Sequence, residues 1–383
     1  MTAGLPEMSL EISNLVKTYT RKGEQHTALR GVSFSAAPGA FVTLLGPSGC
    51  GKSTLLNMLA GLDRPTAGRI DINGNVVYDS DASLFVPPGK RNISMVFQSY
   101  AIWPHMTVRE NVAFPLLNGR KQLRKRAELE AVVDAALKKV HLEALADRPA
   151  PLLSGGQQQR VSLARAIAQS PGLILLDEPL SNLDANLREA MQKQIRGIVT
   201  EEGITAVYVT HDQKEALAMS DVIIVMSEGS IEQVGAPYDI YYRPKTRFVA
   251  QFMGAPNLLE ATVINAAPDG SEAVAESVLG KTVFPLRQGA LRPGDKITLV
   301  LRQEDFQAHA VAAVAAGNPS GSNHYVLPLK QSIFLGERME LLCAMGESVG
   351  QTLSVYVNAR LLAGGVASVA LHYPPEKVHY IKE

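Results

Sequence analysis

The residues best suited to chemistry form a glycine-rich segment that ends in a lysine and two hydroxyl residues. The segment follows the apolar run FVTLL and precedes the helical-looking STLLNMLAG, and its spacing matches GxxxxGK[ST]. Glycines let the backbone curl so that successive N–H groups point at phosphate oxygens, and the start of the next helix adds positive charge. We predict that this segment binds nucleotide phosphates, with a plain glycine-rich turn as the alternative. Its residues are Gly46, Pro47, Ser48, Gly49, Cys50, Gly51, Lys52, Ser53 and Thr54.

Two side chains of this segment have separate roles in that interpretation. Lys52 would neutralise the β- and γ-phosphates, and the Ser53 hydroxyl would bind Mg²⁺. The sequence therefore predicts a site for a magnesium–nucleotide complex.

A pair of carboxylates follows a second apolar run, LILL. Asp177 and Glu178 stand at the carboxyl end of what reads as a buried strand, where open α/β sheets bind ligands. Asp177 would hold Mg²⁺ through water, and Glu178 would orient or deprotonate an attacking water. A solvated surface pair is the alternative. His211 follows the next apolar run, TAVYVT, so the same sheet edge would bring it near the γ-phosphate unless it is purely structural.

The elements that must position these residues alternate between short apolar runs and amphipathic stretches. Between Ala127 and Val140, apolar residues recur at the spacing of one helical face. The runs FVTLL, LILL and TAVYVT have the length and apolar character of buried parallel strands. Strands alternating with helices predict an α/β core.

Composition limits the remaining possibilities. A chain of 383 residues is too long for one ordinary domain. Lys+Arg and Asp+Glu number 37 each, which gives no general attraction to nucleic acid. Cys50 and Cys343 lie far apart, which favours a reducing compartment. The N-terminus lacks the pattern of a signal peptide, and no apolar run reaches the roughly 18 residues that a membrane span needs.

Three segments are predicted. Residues 1–236 form the α/β domain, residues 237–258 form a helical linker of two short helices separated by Pro244, and residues 259–383 form a small OB-like β-barrel.

A third motif makes the resemblance to a known family specific. LSGGQQQR, beginning at Leu153, precedes a helical-looking stretch, and by itself it could be an N-cap followed by flexible glycines. Together with the phosphate-binding segment and LILLDEP, it makes residues 9–235 resemble the ATPase domain of ABC transporters, a P-loop fold with a helical subdomain. The family's cofactors, ATP and Mg²⁺, are implied.

The resemblance assigns roles to further residues. Tyr19 would stack on adenine, and Gln98 would belong to the loop that senses Mg²⁺, water and the membrane partner. His211 would contact the γ-phosphate, and Asp184, in SNLD, would lie at a dimer interface. Surface or core positions are the alternatives for Tyr19 and Gln98. The signature residues would be Ser154, Gly155, Gly156 and Gln157.

In this family the signature of one subunit meets the ATP on the phosphate loop of the other, so a homodimer is implied. The segment QSYAIWPHMTVRENVAFPL resembles the region of importer ATPases that receives a helix from each of two membrane permeases. Tyr100, Trp103 and Phe114 would line that groove, be ordinary core residues, or both. The implied location is the cytoplasmic face of the cell membrane, in a system with an extracytoplasmic solute-binding protein.

The C-terminal part resembles the TOBE-like accessory domain of importer ATPases for ferric iron, polyamines, phosphonates and sugars. Its marks are LRQED and FLGE, and Gln303 stands where the family commonly has proline. This domain would stabilise the dimer, or it would sense a ligand or regulator. We favour ferric iron as the solute, with a polyamine, a phosphonate or a sugar as alternatives. A soluble ABC ATPase of DNA repair or translation is the rival from another class.

Overall fold

The computed structural model describes residues 8–21, 23–119, 122, 125–267, 269–287, 290–310, 322–346, 351–359 and 367–382. The chain divides into two compact units, Met1–Ile240 and Tyr241–Glu383. Part of the prediction about a signal peptide rests on the first seven residues, which lie outside the described residues.

The first unit contains two sheets. A six-stranded sheet has the order β11-β10-β3-β9-β8-β7, in which only β11 runs antiparallel to its neighbour. A five-stranded antiparallel sheet has the order β2-β1-β4-β5-β6. The strands are β1 (Leu10–Arg21), β2 (Glu24–Ala36), β3 (Phe41–Leu45), β4 (Ala67–Ile72), β5 (Asn75–Asp79), β6 (Leu84–Phe85), β7 (Ile93–Val96), β8 (Leu173–Asp177), β9 (Thr205–Thr210), β10 (Val222–Ser227) and β11 (Ser230–Gly235).

Helices connect the parallel strands, as the sequence predicts for an α/β core. The three apolar runs form β3, β8 and β9, which confirms those predictions. The helices of the chain are α1 (Lys52–Ala60), α2 (Val108–Asn118), α3 (Arg126–Lys139), α4 (Gly155–Ala168), α5 (Ala185–Glu201), α6 (Gln213–Met219), α7 (Pro237–Tyr242) and α8 (Arg247–Phe252).

Two apolar cores lie on opposite faces of the parallel sheet, because successive side chains of a strand point to opposite faces. On β8, Ile174 and Leu176 face the core shared with α2 to α5, whereas Leu173 and Leu175 face the core shared with α1 and the antiparallel sheet. All four side chains are fully buried. The continuous apolar run is thus explained by burial on both faces.

The helical subdomain consists of α2 and α3 packed against α4. Helix α3 buries Val133, Ala136 and Leu137, the face that its apolar spacing predicts. Helix α2 begins at a capping box in which the Thr107 hydroxyl accepts from the Glu110 N–H, and the Glu110 carboxylate accepts from the Thr107 N–H. This cap fixes where α2 starts.

The second unit is rich in β-structure, as predicted. Its strands form two five-stranded sheets, of order β14-β13-β12-β15-β21 and β16-β20-β17-β18-β19. Both sheets contribute to one core that includes Phe284, Leu299, Leu341 and Val355. The strands are β12 (Asn257–Ala266), β13 (Glu272–Ser277), β14 (Gly280–Pro285), β15 (Lys296–Leu301), β16 (Gln307–Ala310), β17 (His324–Phe334), β18 (Arg338–Ala344), β19 (Thr352–Asn358), β20 (Ser368–His372) and β21 (His379–Lys382).

The two predicted short helices after residue 236 are α7 and α8, and Pro244 lies between them. The division after Ile240 falls within α7, so α8 belongs to the second unit. Within the described residues, no helix is long and apolar enough to cross a bilayer.

Candidate functional site

The glycine-rich segment forms the connection from β3 to α1. Gly51 has φ +104°, and a Cβ there would lie 2.7 Å from the Ala28 carbonyl oxygen. A Cβ on Gly46 would lie 2.3 Å from the Met226 carbonyl oxygen. Only glycine fits either position without displacing backbone. No side chain caps the first turn of α1, so its N–H groups are available to an anion.

Lys52 lies at the centre of this loop. Its Nζ donates hydrogen bonds to the Gly46 carbonyl at 2.7 Å and to the Pro47 carbonyl at 2.9 Å, and its side chain is buried. The ammonium group thereby holds the loop in its curled form. Cys50 is also buried in the loop.

The residues predicted to hold Mg²⁺ lie side by side at the carboxyl ends of β3 and β8. The Ser53 hydroxyl donates to an Asp177 carboxylate oxygen at 3.4 Å. Burial, and then the neighbouring Glu178 carboxylate, raise the pKa of Asp177, while Ser53 and Lys52 act in the opposite direction. A cation would relieve this accumulation of negative charge.

A hydroxyl and a carboxylate are oxygen donors of the kind that Mg²⁺ prefers. The described residues contain no cluster of three or more His, Cys, Asp or Glu side chains that could hold a metal alone. The Ser53 hydroxyl and the Asp177 carboxylate are two oxygen donors that fit an ion whose other ligands would be phosphate oxygens and water.

Glu178 is held between side chains from two other loops. Its carboxylate contacts His211 Nδ1 at 3.2 Å and accepts a long, 3.5 Å hydrogen bond from Gln98 Nε2. The Gln98 amide also donates to the Ser181 hydroxyl at 3.3 Å. The structure thus brings Gln98, Glu178 and His211 together. The Gln98 amide contacts Glu178, and the role of Gln98 in metal binding stays a prediction.

The backbone of Glu178 is strained, with φ +41°, in the left-handed region that non-glycine residues rarely adopt. Its N–H donates to the Val209 carbonyl at 3.1 Å, which ties this turn to β9. Strain of this kind is characteristic of functional positions that the surrounding structure over-determines.

A cavity of about 340 Å³ lies over the phosphate-binding segment. Sequence reasoning missed His26 and Ala28, which reach the cavity because β2 pairs with β1 and sets His26 directly opposite Tyr19. No local motif marks those two positions. The lining residues are Tyr19, His26, Ala28, Ser48, Gly49, Gly51, Lys52, Ser53, Thr54 and Glu178.

The signature residues lie at the start of α4, and none of them lines this cavity within the described chain. Ser154 is the N-cap, its hydroxyl accepting from the Gln157 N–H, and both Ser154 and Gly155 are exposed. Gly156 is buried, and a Cβ there would lie 2.5 Å from Leu187 Cδ2. In the isolated chain, the segment therefore acts as a helix cap whose outer face is open.

Asp184 is the exposed N-cap of α5 and accepts from the Leu187 N–H at 3.0 Å. It does not line the cavity either, as far as the structure describes the chain. Asn182, in the same loop, donates to the Gln98 carbonyl at 3.2 Å, so this loop contacts the one that carries Gln98.

A second cavity of about 380 Å³ lies between α2 and the segment that leads into β7. Trp103 and Phe114 both line it, with ring centroids 4.3 Å apart. The Arg165 guanidinium stacks over the Trp103 ring at 4.7 Å. Tyr100, in contrast, is buried and does not line this cavity among the residues that the structure describes.

Comparison with known proteins agrees with these motifs. A family model for the ABC transporter domain matches residues 29–181. The spermidine/putrescine import ATP-binding protein PotA of Nitratidesulfovibrio vulgaris is 42% identical over 86% of this chain and 85% of that protein. PotA of Mesorhizobium japonicum is 46% identical over 82% of both chains.

Among solved structures, a dimeric ATP-binding cassette in a post-hydrolysis state with ADP and Pi is 35% identical, with a TM-score of 0.52. The match covers 60% of this chain and 98% of that cassette. The chain therefore belongs to the import type of the ABC transporter ATP-binding proteins, with the ATPase fold and ATP-hydrolysing activity of that family.

Proposed function

We propose that this chain powers a polyamine importer by hydrolysing MgATP within a homodimer. The observation that carries the catalytic part is the cavity in which Lys52, Ser53 and Glu178 converge. Lys52 would bind the β- and γ-phosphates, and Ser53 and Asp177 would hold Mg²⁺. When bound, Mg²⁺ would offset the negative charge of the phosphates.

Glu178 is the general base that orients and deprotonates water. Its carboxylate has a partner on each side, His211 and Gln98, so its position relative to the γ-phosphate would depend on both loops. His211 is largely exposed, which leaves its ring accessible to the γ-phosphate.

The positions of the phosphate loop and the signature support a homodimer. The cavity at Lys52 is lined by the phosphate loop, and the signature at Ser154 lies outside it with its outer face open. In a homodimer, the signature of each subunit would reach the cavity of the other subunit, which is an isologous arrangement. ATP binding would then close the dimer, and hydrolysis would open it.

The cavity lined by Trp103 and Phe114 is the groove that we assign to the membrane permeases. It is concave, aromatic and connected through Arg165 to α4, the helix that begins at the signature. Two permeases would dock on the dimer and hold it at the cytoplasmic face of the membrane, with an extracytoplasmic binding protein supplying solute. The second unit stabilises this dimer.

Polyamine is the solute class that we propose, because several relatives 42–47% identical to this chain are spermidine/putrescine import proteins. Those relatives do not support ferric iron, the solute favoured from sequence. Nor do they support a soluble repair or translation ATPase.

The catalytic proposal is tested by Glu178→Gln, with Glu130→Gln, in an exposed ion pair on α3, as the matched control. We expect Glu178→Gln to bind MgATP normally, to lose at least about 100-fold in turnover, and to accumulate as an ATP-bound dimer on size-exclusion chromatography. The control should behave like the wild type. Rapid turnover by Glu178→Gln, or a monomer in MgATP, would contradict the proposal.

The solute is tested with the tagged chain purified together with its membrane partners and reconstituted in liposomes. Spermidine or putrescine, with its binding protein, should raise ATP hydrolysis. Stimulation by a sugar or a phosphonate alone would refute the polyamine assignment while leaving the ATPase assignment intact.

A further inference from the structure

Three side chains, Lys17, Tyr19 and Asp63, meet beside the nucleotide cavity, which Tyr19 lines. The Tyr19 hydroxyl donates to an Asp63 carboxylate oxygen at 2.6 Å. The other Asp63 oxygen accepts from Lys17 Nζ at 2.5 Å. Lys17 Nζ also donates to the Arg64 carbonyl at 2.8 Å. One carboxylate therefore joins a phenol and an ammonium group from the same strand.

The ammonium group lies over the tyrosine ring as well. Lys17 Nζ is 4.6 Å from the Tyr19 ring centroid, a cation–π distance. Lys17 is buried, whereas Tyr19 is 41% exposed and lines the nucleotide cavity. Because Lys17 covers one face of the ring, the opposite face is the one open to a ligand.

The pKa shifts favour an ionised Asp63 carboxylate and a neutral Tyr19 phenol. Burial alone would raise the pKa of Asp63, but hydrogen bonds from Lys17 and Tyr19 hold it below its usual range. Partial burial, and then the Asp63 carboxylate, raise the pKa of the Tyr19 phenol, which keeps it a neutral donor. The phenol therefore stays hydrogen-bonded to a carboxylate across the neutral pH range.

Asp63 is also attached to the helix that follows the phosphate loop. Its N–H donates to the Asn57 carbonyl at 3.3 Å, as part of the turn that ends α1. Lys52 begins this same helix. The carboxylate that holds Tyr19 is thus fixed to the element that presents the phosphate-binding lysine.

We propose that Asp63 and Lys17 are positioning residues that orient Tyr19 as the platform for the nucleotide base, at a set distance from the phosphate loop. This inference rests on the proposed binding of ATP with Tyr19 at the base. The ammonium group draws electron density from the covered face, so the open face stacks better on an electron-rich purine. Among the described residues that line the nucleotide cavity, neither Asp63 nor Lys17 occurs.

The test compares MgATP with magnesium tripolyphosphate, which has no base. We would measure both dissociation constants by titration calorimetry for the wild type, Asp63→Ala, Tyr19→Phe and the double variant. Asp134→Ala, which removes the 2.6 Å ion pair between Asp134 on α3 and Arg109 on α2, is the matched control. Tyr19→Phe keeps the ring and the Lys17–Asp63 pair, so it serves even if Asp63→Ala folds poorly.

We expect Asp63→Ala and Tyr19→Phe each to weaken MgATP binding about threefold to tenfold, with tripolyphosphate affinity unchanged. The double variant should bind MgATP no more weakly than Asp63→Ala alone, because Asp63→Ala already removes the hydrogen bond that Tyr19→Phe removes. Equal weakening of both ligands, additive effects in the double variant, or unchanged MgATP affinity would overturn the proposal.

Two further variants distinguish the sources of failure. Tyr19→Ala should weaken MgATP by about fivefold to 100-fold through lost stacking. If it does not, Tyr19 does not stack on the base, and the inference about Asp63 and Lys17 fails while the proposed phosphate site stands. If Lys52→Ala leaves tripolyphosphate affinity unchanged, the proposed phosphate site itself is wrong.

Discussion

Alanine at Gly51 should destabilise the first unit far more than alanine at Gly49, although both glycines lie in the same loop with positive φ. Gly49 has φ +81°, and a Cβ there meets nothing within 4 Å. Gly51 has φ +104°, and a Cβ there would lie 2.6 Å from Leu29 Cδ2 and 2.7 Å from the Ala28 carbonyl oxygen. Comparing the two variants therefore separates the cost of backbone strain from the cost of steric conflict.

The magnitudes follow from those two terms. A left-handed conformation costs an L-residue about 1–2 kcal/mol, partly offset by about 0.4–1 kcal/mol from the reduced entropy of the unfolded chain. Gly49→Ala should therefore lose about 1 kcal/mol. Gly51→Ala adds a conflict with the backbone of β2, for which overpacking costs of about 1–3 kcal/mol are typical. Its total loss should reach about 3 kcal/mol.

The assay uses the protein's single tryptophan, Trp103, which lies in the first unit. Its emission in urea reports unfolding of that unit in the full chain. With an m-value of about 2–3 kcal/mol/M, Gly51→Ala should unfold at a midpoint about 1 M lower than the wild type, and Gly49→Ala at about 0.3–0.5 M lower. The measurement is made without nucleotide, so that ligand contacts do not contribute.

Equal midpoints for the two variants would refute the reasoning, because the close approach of Gly51 to Ala28 would then have no energetic consequence. A larger loss for Gly49→Ala would refute it as well.

Two other changes test the same region. Arg91 is buried and donates to the carbonyls of Val86, Met58 and Leu59, and burial lowers its pKa to about 10. Arg91→Ala removes all three of these hydrogen bonds and should lower the free energy of unfolding by about 3 kcal/mol or more in the Trp103 assay, although the Met58 carbonyl still accepts from the Gly61 N–H. Arg91→Lys should be intermediate, because an ammonium group cannot span all three carbonyls. A loss below about 1 kcal/mol would contradict this. Asp177 has a raised pKa in the folded state, so its stabilising contribution is present at low pH and is lost as pH rises from 3.8 through the folded-state pKa. Nucleotide-free Asp177→Asn should therefore be more stable than wild type at pH 7 but not at pH 3. The variant should also lose the Mg²⁺-dependent gain in ATP affinity. Lower stability of the variant at pH 7 would contradict the predicted direction of the Asp177 contribution.

Much of the site could be predicted because its chemistry is encoded locally. The run from Phe41 to Thr54 specifies a strand, a curled loop and a helix start within a few residues. The apolar face of α3 is likewise visible as a 3.6-residue periodicity, and the doubly buried strands are visible as continuous apolar runs. The β-rich character of the C-terminal part follows from short apolar runs between turn residues.

Other features required long-range pairing. Sequence alone could place Glu178 and His211 at strand ends, but only the sheet order, with β8 beside β9, sets them next to each other. His26 reaches the cavity only through the register of β1 with β2.

The contact of Asp63 with Tyr19 spans 44 positions and carries no motif. Local spacing thus determined which chemical groups the protein has and which elements carry them. The tertiary structure decided which of those groups meet, because a hydrogen bond between distant segments depends on how sheets and helices pack and not on any short run of residues.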